Sequence, residues 1–162
     1  QEGRSVANET IAQVEDALLA QLNQAPIGPV GAGGYARTLD SYQGELEDED
    51  LQRVLTLFPA VLVVYEASRY GKGARGVYDE TMRFRILVAS RNLRGEKAAR
   101  RGDVAMVGTY QMLRDVRGLL ANQSVGLEVG PAEPVAERFV INTREASIYE
   151  AIYAISVDVT AA

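Results

Sequence analysis

Residues 60–90 read AVLVVYEASRYGKGARGVYDETMRFRILVAS, and this stretch decides the fold. Ala60 to Ala67 is a nearly unbroken β-branched and aromatic run, the pattern of a central strand covered on both faces. Glu80 to Ser90 alternates instead. Met82, Phe84, Ile86 and Val88 fall on one side and Thr81, Arg83 and Arg85 on the other, as a strand with one buried face requires. Ser68 to Asp79, with Gly71, Gly73 and Gly76, reads as the turn between them, so the two segments form an antiparallel hairpin with a long tip.

Gly71-x-Gly73-x-x-Gly76 also carries the letters of a dinucleotide-binding fingerprint. That fingerprint needs a strand before it and a helix after it, because the helix N-terminus must meet the pyrophosphate. Here a strand follows. The favoured reading is a tip that becomes ordered against a neighbouring subunit, and Lys72 and Arg75 suit it to an acidic surface.

Moving outward toward the N-terminus, the acidic run Glu45 to Asp50 supplies a cap, Asp48, for a short helix carrying Leu51, Val54, Leu55 and Phe58, which Pro59 ends. Tyr35 to Tyr42 alternates as a strand, and Ile27 to Gly34 is a Gly/Pro loop. Before it, Ser5 caps a helix whose apolar positions Val6, Ile11, Val14, Leu18 and Leu22 recur at helical spacing. In the other direction a basic connection, Arg94, Lys97, Arg100 and Arg101, leads to a helix from about Asp103 to Ala121 with Val107, Tyr110, Leu113, Val116 and Leu120 as its core stripe. Short strands follow near Leu127 to Val129 and over Val135 to Ile141. A final strand, Ser147 to Thr160, puts Tyr149, Tyr153, Ile155, Val157 and Val159 opposite Glu150, Ser156 and Asp158.

This order lacks the regular strand–helix alternation of a parallel sheet. It implies a single α+β domain over residues 1–162, with a mostly antiparallel sheet of about 4–5 strands, helices packed on one face, and flexible loops near 26–34, 68–79 and 92–102. A length of 162 residues suffices for one core without staples, and an apolar share of 47% with 24% charged residues is that of an ordinary globular protein. The longest apolar run, Pro59 to Tyr65, is strand-sized and far short of a membrane span. The first residues show no basic–apolar–small pattern, so no signal peptide is expected.

The chain has no histidine and no cysteine, which excludes Ser-His-Asp and Cys-His nucleophiles, histidine-ligated metals, thiolate sites and disulfides. Catalysis would have to rest on carboxylates, lysine or tyrosine, and a small carboxylate enzyme using Tyr78, Asp79 and Glu80 would need a pocket in which two carboxylates converge. The acidic run Glu45, Glu47, Asp48, Glu49 and Asp50 lacks the ligand spacing and glycine of a calcium loop and reads as a solvated helix start. No cofactor is implied. A net charge of −5 argues against general nucleic-acid binding, although the basic loop could touch phosphate. Opposite charges at separate places, Lys72, Arg75, Arg94, Lys97, Arg100 and Arg101 against Glu47, Asp48, Glu49 and Asp50, suit a head-to-tail contact between unlike surfaces.

The layout resembles the Mu-like phage tail terminator family, small tail proteins encoded upstream of the sheath and tube genes of contractile-tailed phages. The resemblance spans most of the chain: the helix ETIAQVEDALLAQL, the strand PAVLVVYEA, the segment YDETMRFRILVASRNLRGEKAARRG, the helix GTYQMLRDVRGLL and the closing strand YAISVDV. It implies a non-enzymatic virion protein, assembled in the host cytoplasm, that forms a homo-hexameric ring on the tail. Such a ring caps tube and sheath, stops their polymerisation and offers a docking face to the head connector, without membrane or sequence-specific nucleic acid. A head–tail connector or baseplate adaptor of similar size would share this layout. The family has no active-site motif, so no single residue is carried over from it.

Overall fold

The computed structural model describes residues 10–42, 44, 46, 51–72, 76–91 and 107–160. Its elements are α1 (Ile11–Leu22), β1 (Thr38–Ser41), α2 (Leu51–Leu55), β2 (Ala60–Lys72), β3 (Val77–Arg91), α3 (Thr109–Leu120), β4 (Glu133–Asn142) and β5 (Ala146–Thr160). The strands form one five-stranded sheet in the order β1-β2-β3-β5-β4. All neighbours are antiparallel except β1 and β2. The α+β class and the mostly antiparallel sheet expected from the alternation are therefore present.

Period-two alternation divides the buried residues into two layers. Val61 and Val63 of β2, Met82, Phe84, Ile86 and Val88 of β3, and Ala151, Tyr153, Ile155 and Val157 of β5 meet Val14, Leu18 and Leu22 of α1 and Met112, Leu113, Val116 and Leu120 of α3. The intervening residues Ala60, Leu62, Leu87, Ala89 and Ile148 point the other way and are covered at one end by Val54, Leu55 and Phe58. So α1 and α3 share one face, while α2 lies on the opposite face. It is the crossover of a short β1–α2–β2 unit, which is why β1 runs parallel to β2. The first half of β2 is covered on both faces, as its unbroken apolar run requires.

Several boundaries differ from the sequence reading. Ser5 and Val6 lie outside the described residues. The N-cap of α1 is Thr10, whose hydroxyl accepts from the Gln13 N–H at 3.1 Å while the Gln13 carboxamide accepts from the Thr10 N–H at 2.7 Å. β1 is shorter than Tyr35 to Tyr42, because the N–H groups of Tyr35 and Ala36 bond back to the carbonyls of Pro26 and Ile27. Leu127 to Val129 is not a strand. Gly126 at φ 85° turns the chain, and Leu127 and Val129 reach the core from a loop pinned by Gly130 N–H to the Ser156 carbonyl at 2.9 Å. On α3 it is Met112 that is buried; Tyr110 sits at the helix margin, against Tyr149.

The largest correction concerns Ser68 to Asp79. Pairing continues through Arg69↔Thr81, Tyr70↔Glu80, Gly71↔Asp79 and Lys72↔Tyr78, and β5 follows β3 to Thr160. Most of the stretch read as a turn is thus a three-stranded extension of the sheet. The glycine Gly71 is tolerated there because cross-strand pairing, and not a side chain, holds its place.

Tyr153 is 1% exposed, and its hydroxyl has no hydrogen-bond partner among the described residues. Burial, reinforced by the nearby Glu137 carboxylate, pushes its pKa up to about 12. Tyr153→Phe removes a polar group that is desolvated without compensation, so it should leave stability unchanged or raise it by about 1 kcal/mol in urea unfolding. The folded phenol holds its proton above the ordinary value near 10, so native stability should fall as pH rises from 10 toward 12, and the Phe variant should lose part of that slope. A destabilisation well above 1 kcal/mol would mean that the hydroxyl is hydrogen-bonded.

Candidate assembly surface

The features that could meet a partner lie on the sheet's outer strands and on the face that α2 leaves open. At its centre is Glu150, 5% exposed, on β5. Its Oε1 accepts from Arg85 Nε of β3 at 2.6 Å, and its Oε2 accepts from Arg138 Nε of β4 at 2.9 Å and Nη2 at 2.7 Å. Two guanidiniums therefore share one carboxylate across three adjacent strands. The register places them there: Glu150 is opposite Leu87 on β3, one step from Arg85 on the same face, and opposite Arg138 on β4. A buried carboxylate demands such partners.

Beside this cluster, Tyr42, Leu46, Val64, Arg85, Leu87, Val140, Ile141 and Ile148 line an open groove of about 370 Å³. Its outer wall belongs to β4, the last strand of the sheet. That strand is exposed along nearly its whole length, with Phe139 57% and Ile141 46% accessible and Val135 and Val140 also open. Register shifts between Pro134 and Ala136 and between Phe139 and Ile141 mark bulges at Val135 and Val140. On the helix side, Phe139 stacks edge-on to Tyr149 at 5.7 Å, and Tyr149 meets Tyr110 at 5.7 Å. Arg117 of α3 grips Glu137 through Nε at 3.1 Å and Nη2 at 2.8 Å, an exposed fork of modest strength that sets the angle of β4 to α3.

At the other end, the extension formed by β2, β3 and β5 carries Tyr70, 67% exposed, and Tyr78. A cluster of side-chain hydrogen bonds ties its strands together. Glu80 is buried, and its Oε2 accepts from Ser68 Oγ at 2.7 Å and from Tyr70 Oη at 3.3 Å, while Ser68 Oγ also meets Tyr65 Oη at 2.7 Å. The Glu80 carboxylate raises the Tyr70 pKa. On the helix side of the molecule Tyr35 donates to Asp115 at 2.8 Å, and burial together with that carboxylate drives its pKa upward.

Of the interface candidates read from sequence, Lys72 is described and ends β2 in an exposed position. Arg75, Arg94, Lys97, Arg100, Arg101, Glu47, Asp48, Glu49 and Asp50 lie outside the described residues. Tyr78, Asp79 and Glu80 stand in succession on β3, so alternation sends Asp79 and Glu80 to opposite faces and their carboxylates do not converge. Among the described residues no cluster of three or more acids could hold a metal ion. The sequence reading missed the Glu150 cluster and the apolar outer edge. The run Phe139-Val140-Ile141 was the available signal, since three successive apolar residues break the alternation of an ordinary half-buried strand.

Glu150→Gln keeps the shape but weakens both arginine contacts. With Arg85 and Arg138 partly solvated, the loss should be about 1–3 kcal/mol in urea unfolding. A loss under about 0.5 kcal/mol would show that the cluster is not a structural tie.

Among known proteins, a family model described as Bacteriophage Mu, Gp37 matches residues 10–160. No curated protein matches the chain.

Proposed function

The chain belongs to the bacteriophage Mu Gp37 family, and from that premise we propose that it is a structural subunit of the virion tail, a terminator that closes the tube and sheath and presents a docking face to the head connector. The observation that carries the reading is the family match over residues 10–160, joined to a sheet whose last strand is exposed and rich in apolar side chains. The most exposed large apolar side chains stand on its outer strand and its projecting end, where neighbours are met. The proposed partners are further copies of the chain in a hexameric ring, the tube and sheath subunits, and the head connector. No cofactor takes part.

Scattering mass and electron microscopy of the protein mixed with its own tube subunits test the reading. Tubes should acquire a ring at one end and stop growing, with a final length that falls as the protein is added. Unaltered tube growth would sink the terminator role and favour a connector or baseplate adaptor.

Charge sets the register of the ring in this proposal. Lys72, Arg75, Arg94, Lys97, Arg100 and Arg101 face the acidic run Glu47 to Asp50 of an adjoining subunit. Arg100→Glu with Arg101→Glu should weaken ring formation and flatten its dependence on salt. Assembly that is unchanged at low salt would remove both arginines from the contact.

A further inference from the structure

We propose that copies of this chain join by laying the outer edge of β2, Glu66 to Lys72, antiparallel along β4 of the next copy, so that one sheet continues from subunit to subunit. The proposal rests on the ring reading above and names the two surfaces that make it. Sheet edges are its starting point. β4 pairs with β5 on one side alone, and β1 ends its pairing at Val63, so among the described residues β2 has no strand partner along its outer side from Glu66 onward. β1 itself is a blunted edge: it has four residues, and Asp40 Oδ1 takes up the Ser41 N–H at 2.8 Å.

Strand direction selects the symmetry. β2 is antiparallel to β3, β3 to β5 and β5 to β4, so β4 runs opposite to β2 within one subunit. A neighbour generated by rotation about an axis to which the strands are tilted keeps their general direction, and its β2 meets β4 in antiparallel sense without any inversion. Such a contact joins two different surfaces, leaves both free at the ends of each growing chain of subunits, and forms a ring when the rotation between subunits closes. Pairing β4 with a second β4 would instead use one surface twice and stop at a dimer.

The side chains agree with this partner. Val135, Phe139, Val140 and Ile141 stand exposed on β4, and Tyr70 on β2 with Tyr78 beside it on β3. Arg69 near the end of β2 makes no ion pair among the described residues, and neither does Glu133 at the start of β4. Antiparallel pairing brings these groups to the same end. Within one subunit Glu133 is level with Ala154, Arg83 and Ala67, so β2 beyond Ala67 overhangs β4. Neighbours must therefore be staggered, as tilted strands in a closed sheet are.

The chain has 0 cysteines, so an introduced pair has one possible bond. Full-length protein carrying Tyr70→Cys and Val135→Cys, oxidised in the presence of tube subunits, should give a covalent ladder that ends at the ring's copy number. Each single variant should stay monomeric on a denaturing gel, and Tyr70→Cys with Val140→Cys should link far less. Arg69→Glu should lower low-salt assembly by about three- to fivefold, the worth of one exposed ion pair, and adding Glu133→Arg should restore it. Rings of normal mass without the Tyr70–Val135 link or the charge rescue would overturn this contact while leaving the ring reading intact. A Val135→Cys or Val140→Cys single variant that links to itself would assign the edge to a two-fold dimer. Absence of rings in the unsubstituted protein, with and without tube, would overturn both.

Discussion

Everything in this molecule is arranged around β3. Its fifteen residues from Val77 to Arg91 pair along their whole length with β5, and from Tyr78 to Ala89 with β2. A strand bonded on both sides has no backbone group left over, so its side chains alone decide what lies above and below it. Met82, Phe84, Ile86 and Val88 draw α1 and α3 to one face; Leu87 and Ala89 draw α2 to one end of the other. Where β3 turns polar on that second face, at Arg85, the sheet answers with Glu150 in place of another helix. The layers are thus set by one alternation read in three different chemical contexts along a single strand.

The same strand explains what was legible in the sequence. Alternation over Glu80 to Ser90 and the apolar run Ala60 to Ala67 were strong because burial imposes them, and they foretold the central hairpin and the α+β class. Gly71 and the polar residues around it pointed to a turn, yet pairing on both sides of β3 carries the strands past them, whereas Gly76, at φ 76°, does turn the chain. Leu127 and Val129 failed for the opposite reason. They are apolar because the core is near, but Gly126 and the hydrogen bonds of the loop place them there without a ladder.

The contact surface was harder to see than the fold. Charge runs stand out in a sequence, whereas an apolar residue on an outer strand looks the same as one in the core until the strand order is known. Val135 to Ile141 was recognisable as a strand, but nothing in it told that β4 would be last in the sheet. Glu150 likewise read as the polar side of a two-faced strand, although Arg85 and Arg138 converge on it from strands far apart in the chain. Both features depend on topology, which local periodicity does not encode.

The side-by-side run of β2, β3 and β5 also fixes how the molecule answers mechanical load. These strands share one axis over most of their length, and β3 is bonded to both neighbours. A pull along that axis, from the projecting end toward the opposite pole, stresses every ladder hydrogen bond in shear at the same moment. A pull across the axis on β4 opens its bonds to β5 one after another, checked by the Arg117–Glu137 fork and the ring contacts of Phe139. Forced unfolding is governed by the rate of unfolding, so a pull along the strands should be resisted longer than one across β4.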